Sequence, residues 1–255
     1  MTIIDTQVLS NWFKGTEIRH LSEVVSISAI TVNEFLLAQP QNTDSPDYYV
    51  LHPAKYGHLA MAEQQCFAPD RIGNPKWAKL GARRTDQIVI DFGNQFASYI
   101  EFGCKAISKI VNEKLPHFFK LSIAHLSKDK QKYLMKRLKF IIDSDICCHP
   151  LNVTTIDTGL TLFSDFISQY SCKDNIRNTV NDILILATAI TRNVPLVTQD
   201  SLLNRFAADH LNAPIKQDIG NIVINFASEE SKNKTFSKGS KGYFNRGWSY
   251  LVRNS

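Results

Sequence analysis

The 255-residue chain is poor in cysteine, and the five it has (Cys66, Cys104, Cys147, Cys148 and Cys172) include no C-x-x-C pair. That shortage argues against a disulfide framework or a zinc ribbon, and a reducing, cytoplasmic setting is expected. Long apolar runs are also missing. The longest, "ILILATAI", falls far short of the roughly 20 residues of a membrane span. The opening "MTIIDT" is acidic by its fifth residue and lacks the basic and apolar stretches of a secretory leader, so no membrane association is expected. The glycines form no G-x-G-x-x-G, no P-loop and no G-x-S-x-G, which argues against dinucleotide, NTPase and serine-hydrolase readings. The run "CCHP" at 147–150 and the pair His52 and His58 lack partners at zinc-binding spacing.

Acids are absent from Ser231 to Ser255, where six basic residues fall: Lys232, Lys234, Lys238, Lys241, Arg246 and Arg253. Removing those six from the net charge of +5 leaves −1 for the first 230 residues, so the basicity belongs to the C-terminal segment. Phe236, Tyr243, Phe244, Trp248 and Tyr250 are interleaved with these charges. The composition suits phosphate contacts plus stacking on unpaired bases, and equally a disordered or partner-docked terminus.

What the chain does have is a core, with 44% hydrophobic and 10% aromatic residues, and a regular alternation of elements. "TII" reads as a short buried strand and "DTQVLSNWFKG" as the helix after it. "EVVSISAI" is a second strand and "TVNEFLLAQ" a helix. Further on, "LNVTTI" reads as a strand, "DTGLTLFSDFISQY" and "NDILILATAITRN" as helices, "PLVTQ" as a strand, "SLLNRFAA" as a helix and "NIVINF" as a last strand. Strands alternating with helices predict an α/β fold on a central, mainly parallel sheet. Between these halves the character changes. Residues 41–81 are rich in loop formers, "FASYIEFGCKAISKIVNEKL" has helical spacing, and "SKDKQKYLMKRLKFII" reads as a basic amphipathic helix. Residues 41–144 are thus expected to be a loop-rich, mostly helical insertion, and 227–255 a basic aromatic tail.

Four acids fall where an open α/β sheet collects ligands, beyond the carboxyl ends of its strands. Asp5 follows "TII", Glu34 lies one turn into the helix after "SISAI", Asp182 opens "ILILATAI", and Asp200 follows "PLVT". Clustered carboxylates repel unless a cation neutralises them. An all-oxygen ligand set favours magnesium or manganese, which can activate water against a phosphodiester. Each acid also has a plainer role. Asp5, Asp182 and Asp200 stand where they can cap helices for about 1 kcal/mol, Glu34 can complete a T-x-x-E capping box with Thr31, and Asp157 after "VTTI" reads as a cap with no site attached.

Taken together, "IIDTQVLSNW", "ISAITVNEFL", "NDILILATAI" and "PLVTQD" resemble, in order and local context, the four acidic motifs of PIN-domain nucleases, especially VapC-like ribonuclease toxins. The resemblance covers residues 1–40 and roughly 145–226, which it implies are a PIN-like three-layer α/β/α catalytic domain. It implies a Mg2+- or Mn2+-dependent endoribonuclease in which Asp5, Asp182 and Asp200 hold metal and Glu34 completes the pocket. Thr198 braces that pocket and Asn181 neighbours it. It further implies an RNA substrate, a toxin or anti-phage role checked by an antitoxin-like partner protein, and a homodimer. The chain departs from compact members of that family: Glu34 and Asp182 stand 148 positions apart, and the segment beyond Phe226 is additional. An acidic site needs cations nearby to hold a polyanion. Lys132, Lys136 and Lys139, on the basic helix with Lys128, and Lys238, Lys241 and Arg246 are the candidates. The competing readings are a catalytically inactive PIN-like module that binds RNA or protein, and a structure-specific DNA nuclease.

Overall fold

In a computed structural model, the residues described are 1–15, 24–38, 47–51, 85–172, 175–211, 213–218, 221–226, 241–243 and 247–253. The chain begins with β1 (Thr2–Ile4), α1 (Thr6–Phe13), β2 (Val25–Ser28) and α2 (Ala29–Phe35). It continues through β3 (Gln87–Asp91), β4 (Tyr99–Phe102), α3 (Cys104–Asn112), α4 (Pro116–Ser122) and α5 (Lys128–Asp143). Then come β5 (Cys147–His149), α6 (Val153–Ile167), α7 (Ile176–Arg192), β6 (Leu196–Thr198) and α8 (Ser201–Leu211). Last are β7 (Ile215–Asp218), β8 (Asn221–Ile224), β9 (Lys241–Tyr243) and β10 (Ser249–Arg253).

β1 is three apolar-facing residues long and fully enclosed, because it pairs in parallel with β2 on one side and with β6 on the other. The six-stranded sheet has the order β5-β2-β1-β6-β8-β7. Its first four strands are parallel, and β8 and β7 are antiparallel additions. The fold is therefore α/β on a mixed, mostly parallel sheet. From β1 the chain moves outward to β2 and β5, then returns across β1 to place β6 on its far side. That reversal leaves a crevice beyond the carboxyl ends of β1 and β6, the place where such sheets bind ligands. The outer edge at β5 is closed by a side chain: Asn112 of α3 accepts from the Cys148 N–H at 2.8 Å and donates to the Cys148 carbonyl at 2.9 Å. An edge so covered is shielded from pairing with another chain.

Two sequence expectations change here. The strand before α6 is "CCH", not "LNVTTI", and the helix already starts at Val153. Asn152 accepts the Thr155 N–H at 2.8 Å, so a side-chain cap outweighs the β-branched run behind it. Asp157 consequently lies inside α6, buried against the Tyr250 hydroxyl, and caps nothing. The stretch from Phe96 is likewise not one helix. Tyr99–Phe102 pairs with β3 as β4, and Gly103, at φ +73, turns the chain into α3.

The residues read as a tail are in part a strand. β10 pairs antiparallel with β3 from Ser249↔Asp91 to Arg253↔Gln87, within a second, antiparallel sheet ordered β4-β3-β10-β9. The inserted region and the C-terminal segment thus complete one another. Trp248 is fully buried, its ring 5.2 Å from Phe92 and 5.6 Å from Phe163 of α6, and its Nε1 donates to Gln95 at 3.1 Å. Tyr250 is buried too, so neither aromatic is available to stack on a base. Phe236 and Phe244 lie outside the described residues, as does the side chain of Tyr243.

Replacing Trp248 with Ala removes the ring that joins the second sheet to α6, and by the usual scale of large-to-small core changes costs about 3–5 kcal/mol. Urea unfolding of Trp248→Ala beside wild type measures it. A dispensable tail predicts no shift in midpoint.

Candidate active site

Asp5 follows β1 directly and is buried, although its carboxylate is not isolated. It caps α1 by accepting the Val8 N–H at 2.7 Å, and it accepts the Thr198 hydroxyl at 2.6 Å from the end of β6. Burial pushes its carboxyl above the ordinary range. The bonds from Thr198, Val8 and Gln199 oppose that shift, and the nearby charge of Asp200 adds to it. Thr198 is fully buried and works in two directions, since its hydroxyl also accepts the Asp200 N–H at 2.9 Å. Asp200 in turn accepts the N–H groups of Leu202 and Leu203 at 2.8 and 2.9 Å, capping α8. For Asp5 and Asp200 the capping and site roles coincide.

For the other two acids the capping explanation fails. α7 begins at Ile176, so Asp182 lies in its second turn and opens no helix. It shares with Asp200 a small pocket of about 10 Å³, near the space one water needs, walled by Phe166 and Leu203. Glu34 lies in the last turn of α2, whose cap is Ser28; Thr31 makes no box, and its buried hydroxyl has no hydrogen-bond partner. Glu34 is instead held from two sides. Thr6 donates to its Oε2, and Asn181 donates to its Oε1 at 2.7 Å.

The two groupings are chain neighbours, Asp5 beside Thr6 on α1 and Asp182 beside Asn181 on α7. Asp5, Thr198, Asp200 and Asp182 form one part, and Glu34 with Thr6 and Asn181 the other. Among the described residues, no three His, Cys, Asp or Glu side chains stand close enough together to hold a metal ion as they are placed.

Behind Glu34 lies a layer that the motifs did not foretell. Asn181 accepts from the Tyr99 hydroxyl at 2.8 Å, and that hydroxyl lies 3.2 Å from Glu101, to which Asn33 also donates at 2.7 Å. Glu101 is fully enclosed and paired with Arg177. Burial pushes the Glu101 carboxyl up against the pull of Arg177. Burial also works against the charge of Arg177, yet Glu101 and its neighbours hold the guanidinium above its usual range. One signal for this layer was in the sequence: Arg177 and Asn181 are four apart, hence on one face of α7.

A cavity of about 430 Å³ opens against this layer, with Glu34 and Asn181 on one side and Lys130 and Tyr133 of α5 on another. α5 reaches it by packing Phe140 against Trp12 and Phe13 of α1, while Arg137 lies over Phe35 of α2 and donates to its carbonyl. Lys132, Lys136 and Lys139 are all exposed on α5. Lys238 and Arg246 lie outside the described residues, and of Lys241 only the backbone, in β9, is described. No helix among the described residues is long and apolar enough to cross a membrane.

Arg177→Met strands the Glu101 carboxylate without its cation, which for a buried pair costs about 3–5 kcal/mol. Adding Glu101→Gln should recover much of the loss, and urea midpoints of the single and double variants read the difference. No protein family, curated protein or solved structure matches the chain.

Proposed function

We propose that the chain is a PIN-like, three-layer α/β/α endoribonuclease that depends on Mg2+ or Mn2+. The observation that carries the reading is the pair of aspartates following adjacent parallel strands. Asp5 and Asp200 sit where the sheet order reverses, joined through Thr198, and Asp182 faces the same small pocket as Asp200. The all-oxygen donor set suits a hard cation. A carboxyl such as Asp5, pushed up by burial and by a second acid, is one whose charge a cation restores.

Asp5, Asp182 and Asp200 are the residues that would hold the ion. A divalent cation held there would neutralise phosphodiester oxygens and acidify a water. The chain's own groups do the rest. Thr198 fixes the Asp5 carboxylate, and Thr6 and Asn181 fix both oxygens of Glu34, which orients the attacking water. The exposed lysines of α5 hold the strand's phosphates against repulsion from the acids. In the cell we assign the activity to a growth-arresting or anti-phage effector that works as a homodimer and is restrained by an antitoxin-like protein.

One observation favours a second reading, an inactive PIN-like module that binds RNA or protein: no three acids are preassembled for a metal among the described residues. Cleavage of RNA separates the two. Purified protein with Mg2+ or Mn2+ should cut total cellular RNA in preference to DNA, and Asp5→Asn or Asp182→Asn should lower the rate at least about 100-fold. Growth arrest on expression should track the same acids. Cleavage that survives both substitutions ends the nuclease assignment, and wild type that neither cuts RNA nor binds Mg2+ in a calorimetric titration favours the inactive module.

A separate test concerns α5. Replacing Lys132, Lys136 and Lys139 with Ala should raise the KM for RNA and flatten the salt dependence of binding by a log–log slope of about 2, if each contacts one phosphate of a single strand. An unchanged slope removes these residues from the RNA path.

A further inference from the structure

A side-chain amide fills nearly the same space in two orientations, and its hydrogen-bond partners decide between them. For Asn181 the choice bears on the acidic site. One end of its amide faces Glu34 Oε1 at 2.7 Å, and the other faces the Tyr99 hydroxyl at 2.8 Å. A carboxylate only accepts, so the Glu34 side needs Nδ2. Reversing the amide would set Oδ1 against a carboxylate oxygen and leave Glu34 gripped by Thr6 on its other oxygen alone.

The Tyr99 hydroxyl has one proton and two acceptors within reach, Asn181 Oδ1 at 2.8 Å and Glu101 Oε2 at 3.2 Å. Glu101 is already served, because Asn33 donates to its Oε1 at 2.7 Å and Arg177 donates to its Oε2. The proton therefore goes to Asn181, the nearer acceptor. Burial, and after it the charge of Glu101, pushes the hydroxyl well above its ordinary pKa, so the proton is retained. The hydroxyl is itself placed from outside the acidic pocket. Its backbone is held in β4 by pairing with β3, from Gln87↔Phe102 to Ile90↔Tyr99, and its ring centroid lies 5.1 Å from the Arg177 guanidinium.

We propose that Tyr99 is a positioning residue for the acidic site: its hydroxyl fixes the Asn181 amide with Nδ2 toward Glu34, and so the inserted strand β4 sets the direction of the Glu34 carboxylate. The orientation of the amide does not depend on what the site does. Its effect on cleavage rests on the nuclease assignment, in which Glu34 orients the attacking water. Tyr99 belongs to none of the four acidic motifs, so the inserted region becomes a working part of the site.

Tyr99→Phe tests the proposal, since it removes the hydroxyl and keeps the buried ring beside Arg177. The first measurement needs no activity: solvent exchange of the Asn181 side-chain amide, followed by heteronuclear NMR on the full chain in EDTA and assigned by its loss in Asn181→Ala. Tyr99→Phe should speed that exchange about fivefold, the scale of one hydrogen bond. The Asn112 side-chain amide, bound to the Cys148 carbonyl at the β5 edge, should not change. With Mg2+ and RNA, Tyr99→Phe should lower kcat about fivefold at an unchanged KM, and should add nothing in a chain that already carries Asn181→Ala. Urea midpoints establish that each variant is folded, and Asn181→Leu, of similar volume, replaces Asn181→Ala if that chain does not fold. Unaltered exchange at Asn181, or exchange raised equally at Asn112, overturns the proposal. In a protein that cuts RNA, so does an unchanged kcat, or a loss as large in the Asn181→Ala chain as in wild type, and either leaves the nuclease assignment standing. Faster Asn181 exchange in a protein that cuts no RNA supports the positioning by Tyr99 and overturns the nuclease assignment.

Discussion

A carboxylate buried at the end of the innermost strand is the constraint around which the rest is arranged. Asp5 must be held by donors, because an unsolvated carboxylate without them would neutralise or disrupt the fold. Its donors come from three elements: the first turn of α1 through Val8, the end of β6 through Thr198, and the turn beyond through Gln199. Its own N–H meanwhile donates to the Val197 carbonyl at 3.1 Å. Strand, helix and neighbouring strand are therefore fixed relative to one oxygen pair. A residue needed only as a cap has no use for a second acid close by, yet Asp200 is bound to the same threonine and raises the cost of charging Asp5. That arrangement is unfavourable for stability alone, and the cation proposed for this corner would offset it.

From the same corner a second chain of polar contacts runs outward. Thr6 and Asn181 grip Glu34, Tyr99 reaches Asn181, and Glu101 collects Tyr99, Asn33 and Arg177. Tyr99 and Glu101 belong to β4, a strand of the second sheet, so the inserted region is bonded into the site rather than appended to it. In β4 the usual burial is inverted, with Glu101 enclosed and Ile100 38% exposed, because the inward position faces Arg177 and Asn33. The ring of Arg177 contacts extends to Tyr99, whose centroid lies 5.1 Å from the guanidinium. Tyr99 is pushed well above its ordinary pKa by burial and then by Glu101, which keeps it a hydrogen-bond donor to Asn181.

The sequence made legible those parts governed by local pattern. Short apolar runs ended by an acid gave β1 and β6, and helical periodicity gave α1, α5 and α8 near their observed bounds, whereas α7 starts at Ile176, a turn and more before the Asn181 that periodicity suggests. Asp5, Thr198 and Asp200 were readable as neighbours because a parallel sheet gathers its carboxyl ends. What resisted was pairing over long separations. Nothing in "QIVID" alone says that its partner is "SYLVR" some 160 positions later, and a segment with six cations and five aromatics reads as a solvated tail until Trp248 is seen between Phe92 and Phe163. Local competition misled in two places: Asn152 starts α6 inside a β-branched run, and Gly103 divides what periodicity alone takes as one helix. The failed capping box at Thr31 belongs with these, since Ser28 had already satisfied the start of α2 and left Glu34 for another use.

The burial of Glu101 and Arg177 carries the argument one step further. Two charges withdrawn from water gain little net stability over an apolar pair of similar size, so the pair is poorly accounted for as a staple. What it does provide is fixed geometry. Arg177 also donates to the Ile100 carbonyl at 2.7 Å, which sets β4 against α7, and Asn33 of α2 donates to Glu101, which sets β4 against α2. Asn33, Glu101 and Arg177, all in the cavity wall, are thus held by one another and by Tyr99. A wall fixed in that way loses little freedom when a ligand arrives.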